Sequence, residues 1–177
     1  MRVFLGLYSE QLSQETLTST AQLLSGAPLH DPKDRHMTLC FLGEQSAAQL
    51  ERLIEKIESC YSEGLFRPIV WDTLNISDFP RHKPKVLAVT GSSNDHLTGF
   101  QRRITELCGS ELAYQFIPHV TLAYLYQACH REVKFEAQWC FNQLRLYRSY
   151  TQQERDAAQA QSGWARSRYE VIKSWML

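Results

Sequence analysis

The chain has 177 residues, 44% hydrophobic and 21% charged, the make-up of a compact domain with enough apolar surface for a core, which excludes disordered, collagen-like and mini-protein readings. Nineteen Lys and Arg balance nineteen Asp and Glu, so no overall positive field gathers duplex nucleic acid and any phosphate binding must be local. The five cysteines are an odd number without a Cys-x-x-Cys pair, which argues against a disulfide framework or a zinc ribbon and for a reducing, cytoplasmic setting.

Residues 3–8 form an apolar run that reads as a buried strand; it is too short for a signal peptide. No stretch approaches the roughly 20 apolar residues of a membrane span. Leu12, Leu17, Ala21 and Leu24 predict a helix over 11–24, which Gly26, Pro28 and Pro32 break. A strand is expected over 36–42. Ser46 with Gln49 has the form of a capping box, opening a helix to about residue 60 on Leu50, Leu53, Ile54 and Ile57. Residues 66–76 read as extended, 86–91 as a strand, 94–108 as a helix on Leu97, Phe100, Ile104 and Leu107, and 119–125 as a strand after Pro118. Two more strand-like runs, 139–150 and 169–176, enclose a Gln- and Ala-rich stretch over 151–162 that suits a loop or a short helix.

The second half repeats the first. The strand from Val3 precedes His36 by 33 residues and the strand from Val86 precedes His119 by the same 33, an offset of 83 between the copies. This predicts a duplicated strand-helix-strand unit related by a pseudo-two-fold axis, one two-lobed domain over 1–177. After Leu125 no helical pattern like that of 46–60 follows, so the copies diverge there.

The copies share one polar signature, His36-Met37-Thr38-Leu39 and His119-Val120-Thr121-Leu122. Side chains alternate along a strand, so each His and its Thr stand on one face about 6 to 7 Å apart. Strand parity sends Met37, Leu39 and Phe41, and likewise Val120, Leu122 and Tyr124, to the opposite face. One such histidine alone reads as a half-buried strand residue satisfied by a neighbour; two in register count against that reading. Imidazole titrates near neutral pH, so a pair supplies a general base and a general acid together, which fits phosphodiester hydrolysis. Threonine hydroxyls can donate to the non-bridging oxygens. The scheme needs no metal or other cofactor, although Asp31, Asp34 and Glu44 near His36 keep a metal alternative open. No G-x-S-x-G elbow, P-loop or G-x-G-x-x-G occurs.

The paired His-x-Thr-Leu strands, with Phe41-Leu42-Gly43 after the first and Pro118 before the second, resemble the two-histidine phosphoesterase superfamily. Within it they are most similar to the bacterial RNA 2',3'-cyclic phosphodiesterases, also named 2'-5' RNA ligases. The resemblance extends to Phe79-Pro80, Lys85-Val86-Leu87, residues 144–149 and residues 169–175. It implies an α+β fold of two mainly antiparallel sheets lining a central cleft with helices outside. It also implies metal-independent opening of a 2',3'-cyclic phosphate to a 2'-phosphate, His36 being proton donor, His119 proton acceptor, and Thr38 and Thr121 holding the phosphate. Expected partners are RNA ends or small cyclic nucleotides, with no membrane and no obligate protein partner. The alternative is a non-catalytic module that binds an RNA or nucleotide phosphate in the same cleft.

Where family members commonly carry Arg five residues after the second His, this chain has Tyr124, a candidate to stack on a base that strand parity makes a structural aromatic instead. Arg81, His82, Lys83 and Lys85 form a basic loop, with Arg81 and Lys83 the candidate phosphate contacts and Phe79 beside them a candidate stacking surface. Arg145 and Arg148 face opposite ways on a strand, so at most one reaches the cleft. His30, His82, His96 and His130 stand outside the repeat and read as surface residues.

Overall fold

The computed structural model describes residues 1–80, 85–110, 115–162 and 167–177. Its strands are β1 (Arg2–Tyr8), β2 (Met37–Glu44), β3 (Ile69–Phe79), β4 (Val86–Gly91), β5 (His119–Tyr124), β6 (Glu132–Phe141), β7 (Gln143–Ser149) and β8 (Tyr169–Met176). The α-helices among the described residues are α1 (Glu15–Leu24), α2 (Ala47–Ser62), α3 (Asp95–Leu107) and α4 (Gln152–Ser162). The strands make two four-stranded sheets, in the orders β2-β1-β7-β8 and β5-β4-β3-β6, with every pair antiparallel. The orders correspond strand for strand: β1 with β4, β2 with β5, β7 with β3, and β8 with β6. The α+β architecture and its internal duplication are those read from the sequence.

Local chemistry accounts for the helix starts. Ser46 and Gln49 make both hydrogen bonds of the capping box, and the Asn94 side chain accepts from the Leu97 amide. The helix expected from residue 11 begins later, because Gln14 is extended (φ −59°, ψ 138°) and splits off a 3-10 turn, Glu10–Ser13. Residues 139–150 are two strands rather than one. The chain leaves one sheet at Phe141 and enters the other at Gln143, and Asn142 between them has a backbone carbonyl that accepts from Leu177. The polar alternation of Glu132–Phe141 marks a half-exposed edge strand, β6, and residues 152–162 form α4, which buries none of its side chains.

Pairing also corrects the repeat by one residue. Gly6 pairs with Thr38 as Ala88 pairs with Thr121, so the first strands are offset by 82 while the histidine strands keep 83. An offset of 83 throughout would turn one copy's side chains to the wrong face, since a single-residue slip inverts a strand.

Candidate active site

His36 stands just before β2 and His119 opens β5. Both rings are held alike: Nδ1 lies 2.7 Å from the Asp34 carbonyl in the first copy and 2.8 Å from the Ile117 carbonyl in the second. A carbonyl only accepts, so each Nδ1 carries the proton and each Nε2 is the remaining ring nitrogen. Asp34 is fixed in turn, its buried carboxylate accepting from the Ser167 hydroxyl and, at 3.2 Å, from the Arg168 amide. Arg35 is 1% exposed and donates at 2.8 Å to the Leu12 carbonyl and at 3.0 Å to the Thr18 hydroxyl, locking the approach to β2.

Matching β-bulges reshape both strands. Against β1, the pairing skips Leu39; against β4, it skips Leu122. Each bulge adds a residue and reverses the alternation beyond it. Leu39 and Cys40 are therefore both buried, as are Leu122 and Ala123, whereas Phe41 and Tyr124 are 64% and 47% exposed. This overturns the parity reading: both aromatics turn to the face that bears the His and Thr side chains. The bulged carbonyls also hold elements outside their own sheets. The Leu122 carbonyl accepts from the His30 amide at 2.7 Å, and the Leu39 carbonyl accepts from Gln101 Nε2 at 3.1 Å. β2 and β5 are themselves in contact.

Aromatic side chains surround the imidazoles unequally. His36 lies 4.7 Å from Phe4, 5.0 Å from Tyr147 and 4.9 Å from Tyr169, ring centre to ring centre. Among the described residues, His119 stacks on Phe79 alone, at 4.2 Å. Register makes Phe79 the counterpart of Tyr147, because Phe4 pairs with Tyr147 and Phe41 as Val86 pairs with Phe79 and Tyr124. Gly6 leaves room for the first ring: an added Cβ would lie 3.4 Å from His36 Cδ2 and 3.0 Å from the Met37 carbonyl. Burial pushes the His36 pKa down to about 4, the Asp34 carbonyl opposing and the charge of His119 assisting. Burial also lowers the His119 pKa, against the hydrogen bond to Ile117. His30, expected at the surface, is 5% exposed; burial first, then Arg168 and His36, pushes its pKa down to about 3. His96 and His130 are exposed, and His82 lies outside the described residues.

These shifts fix the sign of the acid response. All three imidazoles bind protons less readily in the folded protein than in the unfolded chain, whose histidines titrate near 6.5. Stability present above pH 6.5 is therefore lost as pH falls toward about 4, the folded value of His36. Urea midpoints measured from pH 7 to pH 5 should decline progressively, and His30→Leu should flatten the decline; a constant wild-type midpoint would show that the rings are not desolvated.

A cavity of about 300 Å³ brings Thr38 and Phe41 of the first copy together with Phe79, Pro80, Phe116, Ile117 and His119 of the second half. Thr121 faces the same way as His119, opposite Ala88. Tyr124 lies beyond this lining, its hydroxyl 3.4 Å from that of Tyr169 and its ring 5.0 Å from His30, with the Arg168 guanidinium 4.9 Å above it. Arg81 and Lys83 lie outside the described residues, while Lys85 is exposed. Of the two β7 arginines, Arg145 shares the histidine face: it pairs with Gly6 and packs 3.3 Å from the centre of the Tyr8 ring. Arg148 points away and pairs with Glu154 at 3.1 Å. The sequence reading missed Phe4, Gly6, Tyr147 and Tyr169, which carry no local motif.

Among the described residues, no three or more His, Cys, Asp or Glu side chains group in a way that could hold a metal ion, and all five cysteines are free. No described helix is long and apolar enough to cross a membrane.

No family model and no curated protein matches the chain. Solved structures do. TT0787 of Thermus thermophilus aligns over 100% of this chain and 98% of its own, at 22% identity and a TM-score of 0.70. LigT of Escherichia coli, in a crystal structure complexed with 3'-AMP, aligns over 99% of this chain and 97% of its own, at 18% identity and a TM-score of 0.70. A protein described as a phosphoesterase aligns over 99% of this chain and 98% of its own, at 19% identity and a TM-score of 0.67. With its two four-stranded antiparallel sheets, the chain has the α+β fold of E. coli LigT and of the protein described as a phosphoesterase.

Proposed function

We propose that the chain is a two-histidine phosphoesterase, working as one two-lobed unit in the cytoplasm, that hydrolyses the 2',3'-cyclic phosphate at an RNA end to a 2'-phosphate without a metal. The observation that carries this reading is the twin arrangement of His36 and His119: each Nδ1 is tied to a backbone carbonyl, leaving Nε2 as the proton-transferring nitrogen. One imidazole takes a proton from the attacking water as the other gives one to the leaving 3' oxygen on the far side of phosphorus. Thr38 and Thr121 donate to the non-bridging oxygens, and Arg145 supplies positive charge on the same face where Tyr124 replaces the family's arginine. Phe79, against the His119 ring, offers a stacking surface, and the nucleotide-bound structures of LigT accord with such a cleft.

The resemblance gives His36 the donor's role and His119 the acceptor's. The aromatic enclosure of His36 favours the exchange of these roles, because the ring that loses its proton more readily is the better candidate for the neutral base.

The deciding experiment incubates the protein with an oligonucleotide ending in a 2',3'-cyclic phosphate, with chelator present, and identifies the product. A 2'-phosphate is expected; binding of the end without turnover would favour the non-catalytic module instead. Thr38→Ala and Thr121→Ala should each raise the barrier by about 3 kcal/mol, read as kcat/KM, if the hydroxyl meets charge that develops on the phosphate oxygens. A loss below threefold for both would remove the threonines from the scheme.

A further inference from the structure

The duplicated fold makes two open grooves. One, of about 460 Å³, lies between residues 24–27, after α1, and residues 125–131, after β5. The other, of about 350 Å³, lies between residues 107–110, after α3, and the chain that follows β2 from Leu42. The same offset of 83 relates the walls, so the grooves are pseudo-symmetric counterparts.

They differ because α2 has no equivalent in the second copy. This helix gives one groove a wall that includes Gln49, Arg52 and Lys56, which share one helix face at spacings of three and four residues. Both cations are exposed, and no carboxylate is among the groove's described lining residues. Among its described lining residues the counterpart holds a single cation, Arg131, and it is flanked by the exposed side chains of Leu23 and Tyr126. The basic groove and the histidine cleft flank the same strand, β2. Leu42 lines the groove, and Phe41, the residue before it on β2, lines the cavity beside His119.

We infer that the groove bounded by Arg52 and Lys56 binds the phosphodiester backbone of the RNA strand whose end occupies the histidine cleft. Adjacent cations on a rigid helix face attract phosphates regardless of base, a contact that positions a strand without reading its sequence. With a net charge of zero, the chain can hold phosphates only through such local groups of cations. The inference rests on the reading of the cleft as a site for cyclic RNA ends, and it makes the substrate an oligonucleotide rather than a lone nucleotide.

The test compares kcat/KM for uridine 2',3'-cyclic phosphate, which has no upstream phosphates, with that for an oligonucleotide carrying the same cyclic end. Wild type should prefer the oligonucleotide. The double variant Arg52→Gln/Lys56→Gln should lose about tenfold on the oligonucleotide and nothing on the mononucleotide, and its salt slope should fall by about 1.4, the counterion release of two single-strand contacts. Arg131→Gln should leave both substrates unaffected. An unchanged oligonucleotide rate in the double variant, an equal loss on both substrates, or a loss confined to Arg131→Gln would each overturn the inference. Turnover of neither substrate by wild type would instead remove the proposed hydrolysis. Fluorescence anisotropy with a 3'-phosphate-ended oligonucleotide then decides separately: weaker, less salt-dependent binding by the double variant supports the groove, and unchanged binding removes it.

Discussion

His36→Ala and His119→Ala should each slow hydrolysis of a 2',3'-cyclic phosphate by about 100- to 10,000-fold, the usual worth of a positioned acid or base. Each substitution removes an Nε2 whose orientation the Asp34 or Ile117 carbonyl fixes, and among the described residues no other histidine is held in this way. His30, the other buried imidazole among the described residues, packs on Tyr124 and resists protonation. The roles separate on a substrate whose 3' bridging oxygen is replaced by sulfur. A thiolate departs without a proton, so only the variant lacking the general acid recovers activity. Recovery in His119→Ala would fit the exchanged roles and recovery in His36→Ala the resemblance. Full activity of both variants on the natural substrate would eliminate the acid-base pair altogether.

Trp71→Ala should cost about 3 to 5 kcal/mol of stability, among the larger losses open to a core position. Trp71 is fully buried on β3, 5.7 Å from the Trp139 ring and 6.2 Å from Phe141, and its indole N–H donates at 2.7 Å to the Ser92 carbonyl. The surroundings are tightly packed. Gly91 lies so close that an added Cβ would come within 2.7 Å of the indole and 2.3 Å of the Asp72 carbonyl. For a chain of this length the expected fall in Tm is about 6 to 20 °C. Trp71→Phe should recover part of it by keeping a ring while losing the N–H bond. A loss under about 1 kcal/mol for the alanine variant, from urea denaturation, would show that this tryptophan cluster does not anchor the second sheet.

Features that depend on nearby residues were legible in the sequence. The Ser46–Gln49 capping box, the Asn94 start of α3, the bounds of β4 and β8, and the two His-x-Thr strands all express periodicity or hydrogen bonding within a few residues. The duplication was equally visible, because both copies keep the same polar pair on a strand. Where a side chain points beyond the first few residues of those strands was not. The bulges at Leu39 and Leu122 arise from pairing with β1 and β4, and they alone bring Phe41 and Tyr124 to the histidine face. Arg145, Tyr147 and Tyr169 reach the His36 side from strands far along the chain.

By itself, then, the sequence determined the elements, their duplication and the chemical pair, since these follow from short-range spacing. Only tertiary structure decided the register, the unequal enclosure of the two imidazoles and the wall that α2 adds to one groove. Each of those depends on which distant strand or helix supplies the neighbour, and neither local propensity nor periodicity encodes that choice.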